Sequence, residues 1–166
     1  FTGRQLRTFT AEEVALVTGH RYALDRYGPT TGKRLALTFD DGPDPHYTPQ
    51  ILDLLSREGA PATFFTVGSS VVKFAAISKR IVREGHIIGN HTFTHADFDF
   101  VGSLRGQEEI NATERIIQAV TGTYTSYFRL PYGGSDDDSL QDNFRGILQA
   151  QQLGYTITAY DIDTND

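Results

Sequence analysis

Cysteine, methionine and tryptophan are all absent from this 166-residue sequence. Without cysteine there can be no disulfide framework, no thiol nucleophile and no Cys-ligated metal, although that absence suits a reduced cytosol and a bacterial exterior equally. No apolar run approaches the roughly 20 residues of a membrane span. Basic residues are in deficit, with 15 Lys and Arg against 21 Asp and Glu and a net charge of -6, so the attraction that draws a chain to nucleic acid or anionic lipid is missing. Phe1 is not an initiator residue, and the start lacks the basic, apolar and small-residue layout of a signal peptide. The expectation from these ends is a piece of a longer protein. What remains is a globular composition, 39% hydrophobic and 22% charged, which argues against lasting disorder and for one domain with its own core.

Along the chain, Thr10 followed by Glu13 forms a plausible capping box for a short helix over 11–18, and Gly28-Pro29 marks a loop. Residues 1–32 read as a lead-in without visible chemistry. From Lys33 to the end, short apolar runs alternate with longer amphipathic stretches, the pattern of repeated βα units around a parallel sheet. Strands are expected at 34–39, 62–67, 86–89, 127–130 and 155–160. Helices are expected at 48–57, where Ile51, Leu52, Leu54 and Leu55 share a face, and at 71–84, 106–120 and 140–153. The expected fold class is therefore α/β, as an open sheet or a distorted, incomplete (β/α) barrel, since a closed eight-stranded barrel needs about 250 residues.

In such folds functional groups gather where strands end, and the polar residues here obey that placement. Asp40-Asp41-Gly42-Pro43 follows the first strand, Asn90-His91 and His95 the third, Pro131-Tyr132 the fourth and Asp161-Ile162-Asp163 the fifth. The Asp pair is good turn chemistry and could simply cap loop N–H groups; equally, one carboxylate can ligate a cation while its neighbour moves a proton. With five histidines in the chain, a His-x-x-x-His pair is expected by chance only about 0.15 times. His91 and His95 form one, and four residues is one helical turn, which would bring both imidazoles to one ion. Two histidines and Asp41 leave a tetrahedral ion one open position, as in hydrolytic sites. Loop histidines meeting only water are the competing reading. His20, His46 and His86 are expected in ordinary surface or turn roles. Arg129 lies inside an apolar strand and needs a partner, for which Asp40 is the natural candidate.

Four stretches, in order and widely spaced, closely resemble motifs of the polysaccharide deacetylase family, carbohydrate esterase family four, also called the NodB-like domain. They are Thr-Phe-Asp-Asp-Gly-Pro at 38–43, His-Thr-Phe-Thr-His at 91–95, Arg-Leu-Pro-Tyr at 129–132, and Asp-Thr-Asn-Asp at 163–166 as the start of the fourth. The resemblance implies that Asp41, His91 and His95 hold a divalent metal ion, zinc first, and that Asp40 is the general base, oriented and ionised by Arg129. It further implies that the Tyr132 backbone N–H stabilises an oxyanion, that Thr92 braces the metal-ligand loop, and that Asp166 orients a histidine which protonates the leaving amine. The family's tryptophan after the fourth motif and its Leu-x-His motif are not in this sequence, so the expected general acid is missing from it.

The implied activity is removal of N-acetyl groups from N-acetylglucosamine-type units of a polysaccharide such as chitin or peptidoglycan. The implied location is extracellular or the cell wall, with attachment to a larger membrane-associated protein left open. Tyr132, Phe98 and Phe100 are rim aromatics that could stack on sugar faces, against core packing as the commoner fate of Phe. Rival readings are a deacylase or deformylase acting on a small amide, and a non-catalytic, metal-stabilised carbohydrate-binding module.

Overall fold

The computed structural model describes residues 35–98, 100–132, 144–160, 162 and 164. The capping box at Thr10, the lead-in helix and His20 lie outside them. In chain order the elements are β1 (Leu37–Gly42), α1 (Tyr47–Glu58), β2 (Ala62–Thr66), α2 (Gly68–Lys73), α3 (Ala75–Arg83), β3 (Ile87–Asn90), α4 (Ser103–Thr121), β4 (Tyr127–Phe128), α5 (Phe144–Gln152) and β5 (Thr156–Ile157). The strands form one five-stranded sheet in the order β1-β2-β3-β4-β5, and each neighbouring pair is parallel. A sheet that advances one strand at a time with crossover helices is wound as a (β/α) barrel is, without the order reversal of a doubly wound sheet. It is distorted where the ladder thins, because β3 and β4 share a single registered pair, Asn90 opposite Phe128.

Two apolar clusters fill the interior. Leu52 and Leu55 of α1, Phe64 of β2, Val71 of α2, Ile81 of α3, Ile88 of β3 and Ile117 of α4 pack in one. Phe98, Ile110 of α4, Phe128, Leu130, Ile147 and Ala150 of α5, Tyr155 and Ile157 pack in the other. Helix α4 joins them, since Ile110 and Ile117 are two turns apart on one face and both fully buried.

Several expected boundaries shift. Strand β1 begins at Leu37, three residues later than expected, and runs on through both aspartates to Gly42, across a bulge described below. The helix expected over 71–84 is two helices broken at Phe74, whose φ of -121° and ψ of 48° are not helical; the apolar period runs across the break, as Val71 and Ile81 are both fully buried, so the sequence reads as continuous. Leu54, expected on the buried face of α1, is 48% exposed. Strand β5 stops at Ile157 because the next carbonyls leave the ladder, those of Thr158 and Ala159 accepting from the Arg129 guanidinium at 3.3 and 3.0 Å.

Candidate active site

Three steps along β1 match two along β2, since Phe39 lies opposite Phe64 and Gly42 opposite Thr66. The extra residue is a bulge, and Asp41 within it has a φ of 66°. On a regular strand, consecutive side chains point to opposite faces; the bulge re-aims one of them. Asp40 and Asp41 consequently line one cleft of about 300 Å³ together with His91, His95, Arg129, Leu130, Tyr132 and Tyr160.

The two carboxylates have different partners. Asp40 accepts from Arg129 Nη1 at 2.8 Å. Arg129 is itself buried, donates through the same nitrogen to Thr38 Oγ1 at 2.8 Å, and lies with its Cζ 4.2 Å from the Phe65 ring centroid. Phe65 can occupy that place because Gly89 beneath it has no side chain; a Cβ there would come within 2.5 Å of the ring. Asp41 instead faces the histidines, with Oδ1 3.2 Å from His91 Nε2 and 3.0 Å from His95 Nε2.

His91 sits just past β3, its N–H donating to the Thr66 carbonyl at 3.1 Å. Its Nδ1 lies 2.8 Å from the Arg129 carbonyl oxygen. A carbonyl can only accept, so Nδ1 carries a proton and the ring turns its Nε2 toward Asp41. His95 is brought alongside by a loop and not by the helical turn expected from the spacing: residues 91–95 form no helix, and Thr92 and His95 have φ of 67° and 57°. Thr92 ties this loop across its ends, its N–H donating to Asn90 Oδ1 at 3.0 Å and its Oγ1 accepting from the Ala96 N–H at 3.2 Å. The His95 ring meets Tyr132 edge-on at 4.7 Å between centroids. Among the described residues, every non-glycine position with positive φ belongs to this region: Asp41, Thr92, His95 and Tyr132. Such conformations cost on the order of 1–3 kcal/mol each and persist only where the surroundings impose them.

Asp41, His91 and His95 form a group whose ligand atoms lie within 4.8 Å of one another, and their chemistry fits a divalent ion. Ligands bound to a tetrahedral zinc at 2.0–2.2 Å stand about 3.3 Å apart, close to the two separations between Asp41 and the histidines. A bare carboxylate oxygen facing two imidazole lone pairs at that range would be repelled unless a proton or a cation lies between them. The protonation states also lean toward ligation. The hydrogen bond from His91 holds the Asp41 carboxyl below the usual range, with the nearby imidazoles adding to it against the opposing effect of burial, while burial pushes the His95 imidazole below its ordinary value in spite of Asp41. Metal ligation needs carboxylate and neutral imidazole, the forms these shifts favour.

The other candidates fall elsewhere. Asp166 lies outside the described residues, as do Asp161, Asp163 and Asn165. His46 is exposed at the start of α1, in keeping with a turn role. His86, expected at the surface or in a turn, is buried: its Nδ1 accepts the Ala62 N–H at 3.3 Å, and its ring meets Phe64 edge-on. Phe98 is 1% exposed within the second core cluster, which removes it as a sugar platform, whereas Phe100 and Tyr132 are 87% and 66% exposed. Sequence reasoning placed Asn90 at the end of the third strand but gave it no role; it is fully buried beside His91 and donates through Nδ2 to the Ile110 carbonyl at 2.9 Å, and Glu109 was missed altogether. A signal for Glu109 existed, since a charge on the apolar stripe of a helix must find partners.

The family model for polysaccharide deacetylase matches residues 27–157. A peptidoglycan-N-acetylglucosamine deacetylase of Bacillus cereus is 38% identical over 146 residues, which are 88% of this chain and 50% of that protein. A chitooligosaccharide deacetylase of Bradyrhizobium is 37% identical over 126 residues, 75% of this chain and 58% of that protein. The chain thus spans about half the length of these relatives. Among solved structures, the peptidoglycan N-acetylglucosamine deacetylase Bc1960, in complex with an N-oxidanyl-benzamide, superposes with a TM-score of 0.72 at 37% identity over 83% of this chain and 61% of that one.

Proposed function

This chain belongs to the polysaccharide deacetylase family, and from that premise we propose that it removes N-acetyl groups from N-acetylglucosamine-type units of a polysaccharide such as peptidoglycan or chitin. The observation that carries the reading is the division of labour between adjacent carboxylates lining one cleft: Asp41 faces two imidazole Nε2 atoms at 3.2 and 3.0 Å, while Asp40 is paired with Arg129 at 2.8 Å. A pure binding site has no use for the second arrangement; a hydrolase needs a base that does not ligate.

Asp41, His91 and His95 would hold a divalent ion, zinc as the first choice, which when bound supplies Lewis acidity to an amide carbonyl and to a water. Asp40 accepts the proton of the attacking water. Arg129 fixes the orientation of that base through its Nη1, and through its own carbonyl it fixes the ring of His91. The Tyr132 N–H serves the oxyanion that develops as the water oxygen bonds to the acetyl carbon. The proton taken up by Asp40 passes to the leaving nitrogen as the C–N bond breaks, which restores the Asp40 carboxylate and yields a free amine and acetic acid, which ionises to acetate. The exposed Tyr132 ring beside His95 offers a face to the sugar. We place the reaction in the cell wall or outside the cell, whether the chain acts alone or as part of a larger membrane-associated protein; among the described residues no helix is long and apolar enough to cross a membrane.

The test is acetate release from chitooligosaccharides, from peptidoglycan fragments and from a small N-acetylated amide, each with zinc and after chelation. Zinc-dependent release that is faster on the glycans is expected. No release from any glycan by the folded, zinc-loaded chain would overturn the reading, and a preference for the small amide would replace the polymer as substrate.

A further inference from the structure

The loop that carries His95 is gripped from two sides. On one side the Gly68 and Ser69 N–H groups donate to the carbonyls of Thr92 and Phe93, both at 2.9 Å. The approach is close enough that a Cβ on Gly68 would lie 2.6 Å from the Phe93 ring. On the other side stands Glu109 of α4, 2% exposed. Its Oε2 accepts the N–H groups of Phe93 and Thr94 at 2.8 and 2.7 Å. Its Oε1 accepts from Thr94 Oγ1 at 2.8 Å and pairs with Arg105 Nη2 at 2.6 Å, one turn earlier on the helix.

Four donors therefore converge on one buried carboxylate, and two of them are consecutive backbone N–H groups of the segment between the histidines. Burying a carboxylate is costly unless it is fully partnered, and Glu109 occupies a stripe with Gly106, Ile110, Thr113 and Ile117, all buried, where an apolar side chain would pack without that cost. A helix that needed only a core contact here has no reason to place a charge.

We propose that Glu109 is a positioning residue for the metal ligands: by fixing the backbone at Phe93 and Thr94, it sets the span between His91 and His95. The proposal rests on the reading of Asp41, His91 and His95 as ligands. His91 is anchored independently, by its N–H to Thr66 and its Nδ1 to the Arg129 carbonyl. The position of His95 depends on the path of 92–94, which passes through the left-handed Thr92, and ligand distances tolerate only about 0.2 Å.

Zinc affinity of the full 166-residue chain, read by competition with a chromophoric chelator, tests this in the parent, Glu109→Gln and Thr94→Val. Unfolding midpoints of the metal-free proteins are measured beside it. Glu109→Gln is expected to bind zinc about 10- to 100-fold more weakly, the usual range for loss of a group that orients ligands. Thr94→Val, which removes one donor and leaves both backbone bonds, should weaken binding by roughly three- to tenfold on the same scale. A purely structural role would lower the metal-free midpoint and leave the affinity of the folded fraction unchanged. Affinities within about threefold of the parent for folded Glu109→Gln, or unchanged for Thr94→Val should the first variant not fold, would overturn the proposal. Failure of the parent itself to take up zinc would instead contradict the metal site.

Discussion

At the scale of the residue, Arg129 serves both halves of the site with different atoms. Its guanidinium holds Asp40 and its carbonyl selects the tautomer of His91, so a side-chain substitution separates the two tasks. Arg129→Ala keeps the carbonyl and should retain zinc. It should lower kcat by roughly 10²-fold, the scale of a mispositioned base, with a stability loss of about 1 kcal/mol for the part-buried carbonyls of Thr158 and Ala159 that lose their donor. Arg129→Lys should recover little, since an ammonium cannot span Asp40, Thr38 and the two carbonyls as a planar fork does. Steady-state rates beside zinc stoichiometry check this; full activity in Arg129→Ala would show that Asp40 needs no orientation. The identities of these residues were legible because acidic, imidazole and guanidinium groups stand out in apolar surroundings. Their backbone conformations were not, because nothing in the letters Asp, Thr, His and Tyr announces a left-handed φ, and spacing alone made the His91–His95 segment look like a helical turn.

At the scale of the element, α1 begins where the Asp40-Asp41 strand ends, and Asp44 joins them. Its Oδ1 accepts the N–H groups of His46 and Tyr47, both at 2.7 Å, and its own N–H donates to Thr48 Oγ1 at 2.8 Å, the reciprocal pattern of a capped helix start. The Tyr47 N–H, then that of His46, holds the Asp44 carboxyl below its ordinary value. A carboxyl whose folded pKa is depressed contributes stability above its unfolded value of 3.8, and that contribution is lost as pH falls through the folded value. Asp44→Ala should therefore unfold at a lower temperature than the parent at neutral pH, with the gap narrowing below about pH 4. A gap that stays constant in acid would show that the charge at the helix start contributes nothing. The existence and order of most elements from β1 onward were readable from apolar periodicity, since short apolar runs alternate with longer amphipathic stretches. What periodicity hides is a change of backbone direction within a run. The bulge in β1, the break at Phe74 and the early end of β5 each preserve the apolar pattern while altering the path, and Glu109 lay unnoticed on a stripe otherwise read as core.

At the scale of the whole molecule, a sheet that advances strand by strand delivers the ends of β1, β3 and β4 to one cleft, with chemistry contributed by residues that are 89 positions apart in the case of Asp40 and Arg129. Two core clusters spanned by α4 fix those ends relative to one another, which lets a partly exposed site keep distances near those of a filled coordination sphere. The central claim is that adjacent aspartates divide ligation from proton transfer. Zinc stoichiometry and acetate release, measured together on the parent, Asp40→Asn and His91→Ala with an N-acetylated oligosaccharide, test it most directly. Asp40→Asn should bind zinc as the parent does yet lose about 10²-fold or more in rate, the scale of a removed general base, while His91→Ala should lose both. Near-parental turnover by zinc-loaded Asp40→Asn, or an undiminished zinc content in His91→Ala, would contradict the account.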